Sequence, residues 1–183
     1  NHVRFSVSRN DKTKGAILGL MISCRGHVEY FDSVDLRNEL SYHGLISRKD
    51  LPTGVNIFTL YNGVGDVIAQ REVFINNHDQ DNIHIVCSQP LKDEYKPYEK
   101  ISLNLQVTDS TNHVYPHKET FSLAVTDSTY HEESFYHGNV MTDLLLSSEI
   151  KGFIPYPSYY FEKDDGEHQQ ALDLLMMVQG WTR

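Results

Sequence analysis

The chain has 183 residues, of which 39% are hydrophobic and 22% are charged, and its formal net charge is −9 at pH 7. This length and composition are typical of one or two globular domains with a buried core. The acidic balance, without any run of lysine and arginine, argues against a nucleic-acid partner, and the longest apolar run, Ala16 to Ile22, is far shorter than the roughly 20 residues that span a membrane.

Alternating apolar and polar residues dominate the sequence as far as residue 128. The pattern begins with Val3, Phe5 and Val7, and it is clearest in segments 101–107 and 121–125. Such a period of two predicts half-buried antiparallel strands. Turn-forming residues separate the strands at short intervals, which favours β-sandwiches.

The segment Gly63-Val64-Gly65 raises the question of a phosphate-binding loop. Such a loop needs a helix after it, so that backbone N–H groups face the anion. Here strand-like segments, 55–61 and 67–74, lie on both sides. The sequence therefore predicts a β-hairpin at this point.

The pentapeptide VTDST occurs twice, at residues 107–111 and 125–129. Each copy lies where an alternating segment stops, and an Asp or Ser there can bind the backbone two residues on and start a turn. Strand-end chemistry is therefore the simpler interpretation, and a modification signal or a set of cation ligands is the alternative.

The period changes after residue 128. Segment 139–149 is compatible with a helix or a buried strand, and periodicity does not decide between them. A single helix is predicted over about 166–179, beginning with a capping box of Asp164 and Glu167 and stopping at Gly180. Its expected buried side carries Ala171, Leu172, Leu174, Leu175 and Val178.

Five aromatic residues stand close together between Phe153 and Phe161. If they are exposed, Tyr156, Tyr159 and Tyr160 could form a platform for a sugar or an extended peptide. The alternative is that this run packs the C-terminal part of the chain onto a sheet.

No catalytic, metal or cofactor site is predicted. His113 and His117 have Pro116 between them, which prevents the helix that would place both on one face, and no Gly-x-Ser-x-Gly turn exposes a serine nucleophile. Cys24 and Cys87 lack zinc-site spacing, so we expect buried free thiols, with a disulfide as the alternative.

Several stretches resemble the macroglobulin-type (MG2-like) β-sandwich domains of bacterial cell-envelope proteins, which are related to alpha-2-macroglobulins and in some cases precede a TonB-receptor-like plug region. The resemblance lies in residues 51–76, 94–110, 121–128, 138–162 and 171–181. It implies tandem sandwiches in an exported protein that is periplasmic or associated with the outer membrane, without catalytic residues. The thioester motif of protease-trapping macroglobulins, a Cys followed by Glu-Gln, is missing around both cysteines.

An envelope location gives the VTDST repeat a functional interpretation. Some Gram-negative bacteria glycosylate exported proteins at Asp, followed by Ser or Thr, followed by an aliphatic residue or Thr. Three stretches match this pattern, and their acceptor hydroxyls belong to Ser33, Ser110 and Ser128. We therefore predict O-glycosylation at Ser110 and Ser128, and with less support at Ser33.

The sequence as a whole predicts an all-β protein with two tandem immunoglobulin/macroglobulin-like sandwiches, at residues 1–79 and 80–150, and a C-terminal extension at 151–183 that ends in one helix. The expected function is a non-enzymatic structural or protein-interaction module with a protein or glycan partner in the cell envelope, and possible roles include cell adhesion. A carbohydrate-binding module is the alternative, and a protease-inhibitor fragment has less support.

Overall fold

The computed structural model describes residues 2–79, 83–89, 91–115, 120–121, 123, 125 and 138–180. This part of the chain is mostly β-sheet and carries two α-helices near its C-terminal end. The strands are β1 (His2–Ser8), β2 (Ile17–Cys24), β3 (His27–Asp35), β4 (Ser41–Ser47), β5 (Gly54–Tyr61), β6 (Val67–Ile75), β7 (His84–Cys87) and β8 (Leu105–Thr108). The helices are α1 (Val140–Thr142), which continues into a π-helical turn at Asp143–Ser147, and α2 (Gly166–Gln179). No helix among the described residues is long and apolar enough to cross a membrane.

The chain divides into two compact units. One contains residues 1–77 together with 128–183, and the other contains residues 78–127. This division differs from the one predicted from the sequence, because the described residues 138–180 belong to the same unit as β1 to β6.

The first unit contains two antiparallel sheets. A four-stranded sheet has the order β3-β2-β5-β6, and β1 pairs with β4 in a separate two-stranded sheet. Apolar side chains from both sheets form one core. Its buried members are Leu20, Ile22, Val34, Leu36, Ile46, Leu51, Phe58 and Ile75. The alternation in the sequence therefore places one face of each strand in this core.

The opposite face of the four-stranded sheet is covered by the C-terminal segment. Val55 on β5 forms a second core cluster with Leu146, Ile150, Ile154, Leu172 and Met176. Val55 and Phe58 point to opposite faces of β5, so this strand is buried on both sides. The aromatic ring of Phe161 meets that of Phe74 on β6 edge to face, with the ring centres 5.6 Å apart.

Helix α2 confirms the predicted bounds but corrects two details. The N-cap is Asp165, whose side chain accepts a hydrogen bond from the His168 backbone N–H at 3.0 Å, so the predicted cap at Asp164 is one residue too early. The buried face carries Leu172 and Met176, whereas Leu174 is 48% and Val178 is 73% exposed. The helix contains apolar residues on several sides, and only contact with the sheet selects the one that is buried.

Segment 139–149, for which the sequence left a helix or a strand open, is helical. Asn139 caps α1 by accepting a hydrogen bond from the Thr142 N–H at 3.0 Å, and the Thr142 hydroxyl accepts one from the Asn139 N–H at 2.8 Å. This reciprocal pair fixes the start of the helix. The turn that follows places Leu146, which is fully buried, against the sheet.

In the second unit, β7 and β8 form an antiparallel pair. The strand predicted over 101–107 is shorter than expected, because residues 101–104 are described and lie outside any strand. The turn after β8 confirms the strand-end interpretation of the first VTDST copy. The Asp109 carboxylate accepts hydrogen bonds from the backbone N–H groups of Thr111 at 2.8 Å and His113 at 2.9 Å. In the second copy, residues 126–129 lie outside the described residues.

Candidate functional site

A groove of about 540 Å³ lies in the first unit along one side of β1. Six consecutive residues of that strand, from Val3 to Ser8, line one wall, and the opposite wall carries Ala69, Gln70 and Arg71 of β6. The floor is apolar, with side chains of Leu20, Phe58, Leu60 and Val73. This volume is within the roughly 300–1,000 Å³ of ligand-binding clefts.

The backbone edge of β1 itself forms the wall of the groove. Successive side chains of a strand point to opposite faces, so six consecutive residues can line one cavity only along the edge of the strand. Among the described residues, β1 has no second neighbour in its sheet, so no described strand covers this edge.

The hydrogen-bond pattern shows which backbone groups point into the open edge. The Arg9 N–H donates to the Leu40 carbonyl at 2.9 Å, and the register pairs Ser8 with Ser41 next to them. Hydrogen-bonded and non-hydrogen-bonded pairs alternate in an antiparallel ladder. The N–H and C=O groups of Arg4, Ser6 and Ser8 therefore point away from β4 and toward the groove.

The apolar side chains on the inner face of β1 are more exposed to solvent than the buried side chains of the core. Val3, Phe5 and Val7 are half-buried, whereas Ile46 on the neighbouring strand β4 is buried. The Phe5 ring lies over Gly44 and contacts the rings of Tyr42 and Phe58 at centre distances of 6.1 and 6.2 Å. Only a residue without a side chain fits opposite this ring.

The rim of the groove is charged. The Arg71 guanidinium donates to the Asp173 carboxylate of α2 at 2.7 Å. Arg4 lies on the outer, exposed face of β1. The cationic side chain of Arg4 therefore lies at this strand edge, although the chain as a whole carries a net charge of −9.

The three tyrosines of the predicted platform lie on and before a 3₁₀ turn, Pro157–Phe161. Tyr156 is 41% exposed, and its backbone is left-handed with a φ of 47°. Tyr159 and Tyr160 are half-buried and meet edge to face at 5.6 Å. Tyr160 also packs against the second core cluster, and burial raises the pKa of its hydroxyl. The three rings therefore do not form one flat exposed surface.

Tyr159 stacks on the buried His168, with the ring centres 4.6 Å apart. The His168 Nδ1 atom is 2.6 Å from an Asp165 carboxylate oxygen. The His168 backbone N–H and then its side chain lower the pKa of that carboxyl. This arrangement caps α2 and attaches the aromatic turn to it.

Two of the three predicted glycosylation acceptors are exposed. Ser33 lies on β3, the edge strand of the four-stranded sheet, next to the fully buried Val34. Ser110 lies in the turn after β8 that the Asp109 carboxylate organises. Ser128 lies outside the described residues.

One carboxylate of β6, that of Glu72, faces the C-terminal segment. Glu72 is half-buried, and its Oε2 atom has no hydrogen-bond partner among the described residues. Burial, and then the negative charge of Glu149, raise the pKa of Glu72, while Lys151 acts in the opposite direction. The ionised form of Glu72 is therefore disfavoured in the folded chain.

The cysteines and histidines are placed as follows. Cys24 is a buried free thiol, as predicted, and Cys87 is free and half-buried. Burial raises the pKa of Cys24, so a smaller fraction of this side chain is in the reactive thiolate form.

The His113 ring nitrogen is 2.8 Å from the Thr111 hydroxyl, and His117 lies outside the described residues. The described ranges contain no group of three or more His, Cys, Asp or Glu side chains that could hold a metal ion.

The sequence did not indicate the groove along β1. Its alternation places Val3, Phe5 and Val7 on one face, but it does not say whether a second strand covers the edge.

Comparison of the chain with protein-family models, with curated protein sequences and with solved structures returned no match.

Proposed function

We propose that this chain is a non-enzymatic structural or protein-interaction module of a cell-envelope protein. The observation that carries the proposal is the apolar groove along the edge of β1 that no described strand covers. An open strand edge next to an apolar floor is a surface on which proteins bind one another. The envelope location rests on the resemblance to macroglobulin-type domains, and export to the periplasm or the outer membrane is part of the proposal.

The proposed architecture of the first unit is an immunoglobulin/macroglobulin-like β-sandwich, with a second sandwich later in the chain. Support for the first sandwich comes from two antiparallel sheets whose inner faces share one core. For a second sandwich, the support is the β7–β8 pair together with the alternation in the sequence.

A photo-cross-linking comparison tests the interaction role. Ala69 of β6 lines the groove, whereas the residue before it, Ile68, does not line the groove and is 53% exposed. We would place a photoreactive amino acid at each position in turn and expose the protein to solubilised host envelope. A reproducible protein adduct at position 69, and a much weaker one at 68, is the expected result.

Two outcomes would contradict the interaction role. Equal adducts at both positions would mean that the groove is not the interaction site. Repeated failure to form any adduct, with unchanged hydrogen exchange along β1 in the presence of envelope, would instead indicate a spacer between neighbouring domains.

The carbohydrate-binding alternative has one supporting observation, which is the exposed ring of Tyr156. Tyr159 and Tyr160 are partly occupied by packing within the protein. A Tyr156→Ala variant that binds host polysaccharide as well as the wild type does would exclude this alternative. The protease-inhibitor alternative gains no support from the described contacts.

O-glycosylation stays a separate prediction for the envelope protein. We expect the intact mass of protein exported in its own host to exceed the polypeptide mass, and we expect Ser110→Ala to remove one increment. Thr53, whose hydroxyl is buried and bonded to the Asn77 N–H, provides a control position that should carry no sugar. An intact mass equal to that of the polypeptide would refute the prediction.

A further inference from the structure

We propose that the groove along β1 binds an extended segment of a partner polypeptide, which pairs with β1 as an added strand. The inference rests on the proposed function and specifies the partner: a strand with apolar side chains on its inner face and an acidic side chain on its outer face. A strand added to a sheet edge is a common mode of peptide recognition.

The backbone of β1 provides the first argument. The N–H and C=O groups of Arg4, Ser6 and Ser8 point into the groove, and none of the described strands pairs with them there. These groups are spaced as in a sheet ladder, so a second strand can bind all of them at once. A small apolar ligand in the same groove would leave them without partners.

The side chains provide the second argument. Val3, Phe5 and Val7 remain half-buried although they face the core, and the floor beyond them is apolar. Every second side chain of an added strand would point at this floor and would cover Leu60 and Val73, which are half-buried. β1 has seven residues, so a partner segment of the same length would extend over about 23 Å.

The charge at the edge indicates the outer face of the partner. Arg4 is exposed on the face of β1 that points away from the core. Opposite charges on directly opposed residues of neighbouring strands stabilise the pair. We therefore expect an Asp or Glu on the partner strand opposite Arg4.

The other edge of the same sheet lacks these properties. β4 also has one neighbour among the described strands, and the backbone groups of His43 and Leu45 point away from β1. On β4, however, Gly44 and Ile46 on the inner face are already buried, and the groove does not extend along that strand. The geometry thus selects β1 over β4.

A tethered strand tests the inference in the full chain. We would fuse a seven-residue segment of alternating valine and threonine, with one glutamate, to the N-terminus through about twelve Gly and Ser residues. Such a linker has a mean span of roughly 20 Å, so the segment can reach β1 in either direction. The control carries the same residues in a scrambled order without alternation.

The readout is amide hydrogen exchange by NMR. The alternating segment should slow exchange at the N–H groups of Arg4, Ser6 and Ser8 by about tenfold or more, which corresponds to roughly nine-tenths occupancy of the edge. The N–H groups of His43 and Leu45 on β4 should not change. Equal protection by the scrambled segment, or equal protection of both edges, would overturn the inference.

Two proline variants form a matched pair, because Ser6 and His43 lie directly opposite each other in the β1–β4 ladder. Ser6→Pro removes an N–H group at the groove edge, and His43→Pro removes one at the far edge. Neither removes a bond between β1 and β4. We expect Ser6→Pro to abolish the protection of Arg4 and Ser8 by the tethered strand and His43→Pro to leave it intact, provided that both variants retain the wild-type circular dichroism spectrum.

The outcomes separate this inference from the proposed function. Cross-links at Ala69 without protection by the tethered strand would retain the interaction role and refute strand addition. Protection that appears in the unfused protein and grows with its concentration would identify a second copy of the chain as the occupant, which contradicts a separate partner. Protection of β1 without any envelope adduct would support the strand-binding edge and refute the envelope role.

Discussion

Replacement of Met176 tests whether α2 holds the C-terminal segment on the sheet. This side chain is 1% exposed and lies in the cluster around Val55 of β5. Truncation of a buried Met to Ala removes its transfer free energy and leaves a cavity, which together cost about 2–5 kcal/mol. We expect Met176→Ala to lower the free energy of unfolding by about 3 kcal/mol.

The neighbouring Met177 provides a matched control on the same helix. It is 46% exposed, so Met177→Ala removes about half as much buried surface and creates no closed cavity. The expected loss is below about 1 kcal/mol. Both substitutions change helix propensity by the same amount, so the difference between them reports packing alone.

Urea denaturation followed by far-UV circular dichroism measures both variants, and hydrogen exchange at β5 and β6 locates the change. The slope of the unfolding free energy against urea should stay constant for both variants, which keeps the comparison within one unfolding reaction. Equal losses for the two variants, or a larger loss for Met177→Ala, would refute the packing of α2 described above. That result would place the exposed side of the helix, with Leu174 and Val178, against the sheet.

Three further predictions concern stability. Because the pKa of Glu72 is raised, its ionisation opposes folding, and the penalty develops as the pH rises from the unfolded-state value of about 4.3 through the folded pKa. Glu72→Gln should therefore raise the melting temperature at pH 7 and have little effect well below pH 4, and a lower melting temperature at pH 7 would contradict this. Asp165→Ala should lower the free energy of unfolding at pH 7 in urea denaturation, because it removes the side chain that caps α2. Because the pKa of Asp165 is lowered in the folded chain, its carboxylate stabilises the fold above about pH 4. The loss of unfolding free energy in Asp165→Ala should therefore shrink as the pH falls through the folded-state pKa. A loss that does not depend on pH would be inconsistent with a charged cap. Gly44→Ala places a methyl group against the Phe5 ring and should lower the free energy of unfolding by about 1–3 kcal/mol. Gly63 has open space around it, so Gly63→Ala should be nearly neutral. Similar melting temperatures for the two variants would argue against the contact between Phe5 and Gly44.

Sequence patterns anticipated the features that depend on a few consecutive residues. The hairpin between β5 and β6 follows from Asn62-Gly63, and the Asn62 side chain accepts hydrogen bonds from the N–H groups of Val64 at 3.0 Å and Asp66 at 2.8 Å. The bounds of α2 follow from its capping residues and from Gly180. The turn after β8 follows from Asp109. In each case, the group that stops or starts the element lies within four residues of the backbone that it binds.

The candidate site was not predictable in the same way. Alternation identified the inner face of β1 but not the groove along its edge, because the neighbours of a strand depend on residues that are distant in the sequence. The tyrosines of the aromatic run were visible as a group, but their individual exposure depends on His168 and on the second core cluster.

The sequence by itself determined the period of each strand, the turns between strands and the limits of the C-terminal helix, because these depend on local backbone preferences and on nearby hydrogen bonds. The tertiary structure was needed to show that Leu172 and Met176, not Leu174 and Val178, are buried, that Glu72 is partly desolvated, and that no described strand covers one edge of β1. These properties depend on which surfaces meet across long separations in the chain. The groove and the strand that we propose to fill it belong to this second group.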